Sequence, residues 1–115
     1  MNADKGKQVV NLTPHTITVR DENGKVLAEY PASGREARVN TRVATGADGV
    51  DTIEYLAPQA PPKPKAGTIY VVSTLYAMAY NREDLRVVNG LVRDDQGRII
   101  GCLGLAKLTH SSGDV

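Results

Sequence analysis

The chain predicts an α+β fold: β-rich, mostly antiparallel, with about six strands and one short helix following Ser73. Three observations carry that expectation. Short segments of apolar–polar alternation recur, with Asn23-Gly24, Asp48-Gly49 and Gln96-Gly97 standing between them as turn signals. One segment breaks the pattern, because the apolar run from Gly67 reaches Ser73 and then places Leu75, Met78 and Ala79 at helical spacing. The chain also has no Trp and no Phe, and five Tyr supply every ring, so its core must be aliphatic.

From Gln8 to Arg20 the pattern is that of a strand, with Ile17 and Val19 alternating against Thr16 and Thr18. Pro14 cannot donate to a ladder, so Thr13-Pro14-His15 belongs at an edge, kink or bulge. Asn23-Gly24 then turns the chain back into a partner strand over Lys25 to Tyr30. Pro31-Ala32-Ser33-Gly34 makes a second turn into a strand candidate over Glu36 to Thr45, and Asp48-Gly49 a third before Val50 to Leu56. Residues 57–66 form a proline-rich connection, extended and exposed. Its two P-x-x-P spacings suit a stiff surface loop better than a ligand for a proline-binding domain.

Past Ser73 the helix should turn Leu75, Met78 and Ala79 to the core, set Tyr76 and Tyr80 four apart on a neighbouring face, and stop near Asn81. Leu85 to Leu108 reads as one or two strands around Asp94-Asp-Gln-Gly97. Val19-Arg-Asp-Glu-Asn-Gly-Lys-Val26 and Val92-Arg-Asp-Asp-Gln-Gly-Arg-Ile99 share Val, Arg, Asp and Gly in register. That echo points to two hairpins with the same turn chemistry, which argues against a catalytic role for Arg93 and Asp94. The organisation expected is a disordered N-terminus over 1–7, one globular domain over 8–108, and a disordered tail over 109–115.

Charge and composition bound the function. Fourteen Lys and Arg against thirteen Asp and Glu leave a net charge of +1, with no basic stripe for an extended nucleic acid. No apolar run approaches the ~20 residues of a membrane helix. The first seven residues lack a secretory signal, so a cytoplasmic protein is expected. The lone Cys102 excludes an internal disulfide and a cysteine-paired zinc cluster, and reads as a small buried hydrophobe. No cofactor or metal is expected.

Three groups of residues can carry chemistry. Ser73 and Thr74 stand where a strand empties into a helix, a place suited to an anion and equally to an ordinary N-cap. Asn11, Thr13 and His15 gather an amide, a hydroxyl and an imidazole beside a proline bend, where they can meet a ligand or satisfy the turn itself. Arg82 can clamp a phosphate and Asp84 accept from a ribose hydroxyl, or the two can pair with each other. The known nucleotide fingerprints are missing.

Asn11-Leu-Thr-Pro-His15, Pro31-Ala-Ser-Gly34, Tyr70-Val-Val-Ser73, Arg82-x-Asp84 and Arg93-Asp-Asp-Gln-Gly-Arg-Ile-Ile-Gly-Cys102 together resemble a family. It is the set of small uncharacterised proteins that recurs in bacteriophages, prophages and actinobacterial chromosomes. The resemblance spans Val9 to Leu108 and implies no catalytic residue. By analogy with small phage proteins, it implies a counter-defence role such as holding a signalling nucleotide.

The function expected is therefore non-catalytic binding of a small anionic or nucleotide-like ligand by Asn11, Thr13, His15, Ser73, Thr74, Arg82 and Asp84. One alternative is a phage structural or protein-interaction protein, since exposed strand edges allow homo-oligomers or strand addition. The other is a small hydrolase using His15 with a carboxylate.

Overall fold

The long first segment does not run as one strand. It breaks into β1 (Gln8–Asn11) and β2 (Ile17–Arg20), and the bend around Pro14 lies between them. In the structure, a computed structural model, residues 6–37, 39–56, 60–80 and 82–109 are described. Most of the two terminal segments expected to be disordered, His110, the Asn81 helix stop and the first three residues of the proline-rich connection lie outside the described residues.

After β2 come β3 (Val26–Tyr30), β4 (Thr41–Thr45), β5 (Asp51–Tyr55), β6 (Thr68–Val71), α1 (Thr74–Ala79), β7 (Leu85–Arg93) and β8 (Ile99–Ala106). Six of the strands form one mixed sheet in the order β1-β6-β7-β8-β2-β3, and β4 and β5 form a separate ribbon. The fold is thus α+β and β-rich, with one short helix among the described residues. Each of the three hairpins, β2–β3, β4–β5 and β7–β8, is antiparallel. The pairings β1–β6, β6–β7 and β8–β2 that join the rest are parallel.

The two echoing segments make matching turns. Gly24 N–H donates to Asp21 O and Gly97 N–H to Asp94 O, and both glycines hold a positive φ, 88° and 80°. Asp21 Oδ1 accepts from the amides of Asn23 and Lys25, as Asp94 Oδ1 does from those of Gln96 and Arg98. The arginines before the aspartates repeat as well, Arg20 donating to Gly24 O and Arg93 to Gly97 O, each at 2.8 Å. Only the glycine is left-handed in each turn, so these are type I turns with a glycine bulge, not the type I′ form that Asn-Gly alone suggests.

β6 is buried along its whole length and divides the interior. Tyr70 packs beneath the helix with Leu12, Val72, Tyr76, Ala77, Leu85 and Val87. Val71 faces the other way, onto Ile17 and Cys102. One expectation fails here: Leu75 and Met78 are 42% and 60% exposed, Ala79 is exposed too, and the helix buries Tyr76 and Ala77 instead. Six residues make fewer than two turns. The exit of the chain from β6, more than apolar spacing, therefore decides which side chains meet the sheet. Tyr80 follows Tyr76 by one turn, and their rings lie 5.3 Å apart.

Candidate functional site

Asn11 builds the first wall of the site. It is 1% exposed, at the end of β1, and its side chain uses its full bonding capacity. Nδ2 donates to the carbonyls of His15 (2.7 Å) and Tyr30 (2.9 Å). Oδ1 accepts from the Thr13 amide (2.9 Å) and the Thr13 hydroxyl (2.6 Å). One amide thereby closes the bend from residue 11 to 15 and ties edge strand β1 to the end of edge strand β3. Ser33 N–H, donating to Asn11 O at 3.0 Å, completes that corner. Pro14 supplies the stiff φ and no donor, so the bend needs no further partner at that position.

The second wall is the junction of β6 and α1. Ser73 is the N-cap in extended conformation, and its Oγ accepts from Tyr76 N–H at 3.2 Å. The oxygen is occupied by the helix, while the hydroxyl hydrogen stays available to a ligand.

These two walls face one recess of about 480 Å³. Thr13, His15, Thr16 and Thr18 line one side, and Ser73 and Thr74 the other. Ile17, Val72 and Cys102 lie at its base, and Val88, Leu91, Ile99 and Ile100 of the β7–β8 hairpin line it as well. The lining thus combines apolar residues with five Ser and Thr residues, Thr13, Thr16, Thr18, Ser73 and Thr74. Among the described residues, no protein acceptor takes the hydroxyl protons of Thr16, Thr18, Ser73 or Thr74. Among the described residues, no Lys or Arg lines the recess. Burial pushes the Cys102 thiol above its ordinary range, outweighing backbone hydrogen bonds from Gly104 and Asn89, so it stays protonated at neutral pH. Its sulfur packs as an apolar group.

Arg82 and Asp84 are not part of this recess. They pair with each other past the C-terminal end of α1, Nε and Nη2 of Arg82 gripping both carboxylate oxygens of Asp84. Arg82 Nη1 also donates to Pro62 O at 2.7 Å, which fastens the proline-rich connection to the helix end. A smaller hollow of about 270 Å³ lies nearby, lined by Leu12, Pro61, Pro62 and Tyr76 together with Arg35 and Glu36. Both carboxylate oxygens of Asp84 are thus committed to Arg82.

Of the seven residues expected in the site, Thr13, His15, Ser73 and Thr74 come together, Asn11 supports them from inside, and Arg82 and Asp84 stand apart. Sequence reasoning missed Thr16 and Thr18, although their alternation with Ile17 and Val19 puts both on one face. It also missed the contribution of the β7–β8 hairpin. Gly101 explains the close approach of that hairpin: a Cβ there would lie 2.6 Å from Thr18 O, so only glycine lets β8 lie against β2. The chain matches no protein-family model, no curated protein and no solved structure.

Proposed function

We propose that this protein is a non-catalytic binder of a small nucleotide-like ligand held in the recess between the Asn11–His15 bend and the start of α1. One observation carries the reading: two segments about sixty residues apart in the chain contribute Thr13, Thr16, Thr18, Ser73 and Thr74 to the lining of a single cavity of about 480 Å³. That volume falls within the ~300–1,000 Å³ usual for small-molecule sites. The apolar bed suits a flat base, and the Ser and Thr residues suit ribose hydroxyls or a single phosphate. Without a lysine or arginine among the described lining residues, a neutral or singly charged ligand fits better than a polyphosphate. The resemblance to phage proteins extends the reading to sequestration of a signalling nucleotide.

Isothermal titration against nucleosides, cyclic nucleotides and cyclic ADP-ribose isomers tests it. A saturable one-to-one heat is expected for at least one of them, abolished by Thr74→Trp, which fills the recess from its exposed rim. No heat with any compound, or equal binding by Thr74→Trp, rejects the proposal.

A second reading, a phage structural or protein-interaction protein, is favoured by the bare β4–β5 ribbon. A pull-down from host lysate that recovers a stoichiometric protein through the ribbon would support it.

A further inference from the structure

The β7–β8 hairpin changes faces in mid-course. At its inner end Val87 belongs to the cluster beneath the helix, and its partner Ala106 packs against that cluster. Val88 lines the recess, and its partner Leu105 packs against Ile17, Val71 and Cys102. This is ordinary alternation, with one face given to each cluster. Continued along β7, it would put Leu91 on the face of Val87 and Val92 on the face of Val88. The described lining of the recess instead takes in Leu91, which stands opposite Cys102, and leaves out Val92. The partner strand switches too, since Cys102 and Leu105, three residues apart, meet the same cluster.

Gly90 stands at the switch. Its φ is 72°, in the left-handed region, although it lies inside a strand of 9 residues. No other residue of β7 or β8 holds a positive φ. The pairs on either side, Asn89 with Gly104 and Leu91 with Cys102, keep the ladder in step, so no inserted residue accounts for the change of face. The hairpin's register shift comes later, between Val92 and Arg93. One left-handed residue accounts for it by rolling the rest of the strand about its own axis, a conformation that glycine adopts without penalty. A Cβ at this position would also lie 3.1 Å from Cβ and Cδ1 of Leu103, so the site is tight for any side chain.

We infer that Gly90 is the positioning residue of the recess: its left-handed conformation turns Leu91 and the outer hairpin over Cys102, and so builds the wall that a ligand meets. Gly90 has no side chain to offer a ligand and acts through Leu91. This role rests on the reading of the recess as a binding site, which it deepens. Its test needs no ligand, so the two fail separately.

The test is the rate at which a thiol reagent labels native Cys102 at neutral pH in wild type, Gly90→Ala and Gly90→Asn. Both side chains bring a Cβ toward Leu103, and asparagine is the larger, yet asparagine tolerates a positive φ far better than alanine. A purely steric effect therefore harms Gly90→Asn at least as much, whereas the positioning role predicts the opposite order. Gly90→Ala is expected to label roughly tenfold faster than wild type through local opening of the outer hairpin, with Gly90→Asn close to wild type. Urea unfolding of each variant gives the share of labelling that passes through complete unfolding, and the excess should remain once that share is removed. Equal rates for all three chains, equal acceleration by alanine and asparagine, or an excess accounted for by lost global stability each overturns the inference. Leu91→Ala, at a position 52% exposed, carries the test if Gly90→Ala does not fold. It should speed the labelling of Cys102 where Val92→Ala does not, and the opposite result restores plain alternation and overturns the role of Gly90.

Discussion

Replacing Asn11 by alanine removes the amide that holds the Asn11–His15 bend, and its cost can be worked out bond by bond. Four hydrogen bonds are lost, two donated to His15 O and Tyr30 O and two accepted from Thr13. A hydrogen bond contributes about 1 kcal/mol net, and a buried group left unpaired costs about 1–3 kcal/mol. Thr13 and His15 reach solvent and regain water, whereas the void at a site 1% exposed does not collapse freely. The expected loss is about 3 kcal/mol, which for a domain of this size lowers Tm by roughly 10–15 °C. Urea unfolding followed by circular dichroism measures it. Asn11→Asp sharpens the test, because a carboxylate would face two carbonyl oxygens in place of donating to them. Burial and those carbonyls raise the carboxyl pKa in the folded state, so the variant gains stability as pH falls from 7 toward 4. Asn11→Ala shows no such gain relative to wild type. A loss below about 1 kcal/mol for alanine, or an aspartate variant insensitive to pH, would refute the role given to Asn11.

Further outcomes follow from the same geometry. Gly101→Ala forces a Cβ to within 2.6 Å of Thr18 O and should cost at least 2 kcal/mol on the order of other overpacked sites, measured by denaturant midpoint; a neutral substitution contradicts the close β2–β8 approach. Arg82→Ala breaks the grip on Asp84 and Pro62, and should lower stability by about 1–2 kcal/mol while leaving ligand affinity in titration unchanged; a large loss of affinity would return Arg82 to the site. The Cys102 thiol and the Tyr76 phenol are both raised chiefly by burial, the latter with a further push from Tyr80 against a lowering by Arg82. Raised acids stabilise the fold fully below their unfolded pKa values, and that contribution is lost as pH climbs above about 9. Thiol reagents at neutral pH should therefore label Cys102 slowly until denaturant is added, and fast labelling of the native chain would show the floor of the recess to be open.

Local chemistry made much of the fold legible. Asp-x-x-Gly turns state their own geometry through the aspartate acceptor and the left-handed glycine, so the two echoing hairpins could be read directly. Pro14 marks an edge, kink or bulge, but the alternation around it reads as one strand from Gln8 to Arg20, where the chain forms β1 and β2. The sheet order was not legible, because parallel pairing of β1 with β6 and of β8 with β2 depends on contacts far apart in the chain. The helix face misled for a related reason. Leu75 and Met78 have the right spacing, but six residues leaving a buried strand take their orientation from that strand. In the site, Ser73 and His15 were findable as polar groups at chain reversals. The apolar bed was not, since Leu91 and Ile99 look like ordinary strand residues until the hairpin folds over β2. Arg82 and Asp84 show the opposite failure, being ligand-like residues two positions apart that satisfy each other.

Amide chemical shifts followed while a nucleoside or cyclic nucleotide is titrated into the labelled protein test the binding claim most directly. The account predicts saturable shifts concentrated at Thr13, His15, Thr16, Thr18, Ser73 and Thr74, with Arg82 and Asp84 unmoved. Shifts centred instead on the Arg82–Asp84 pair, or none across the panel, would contradict it.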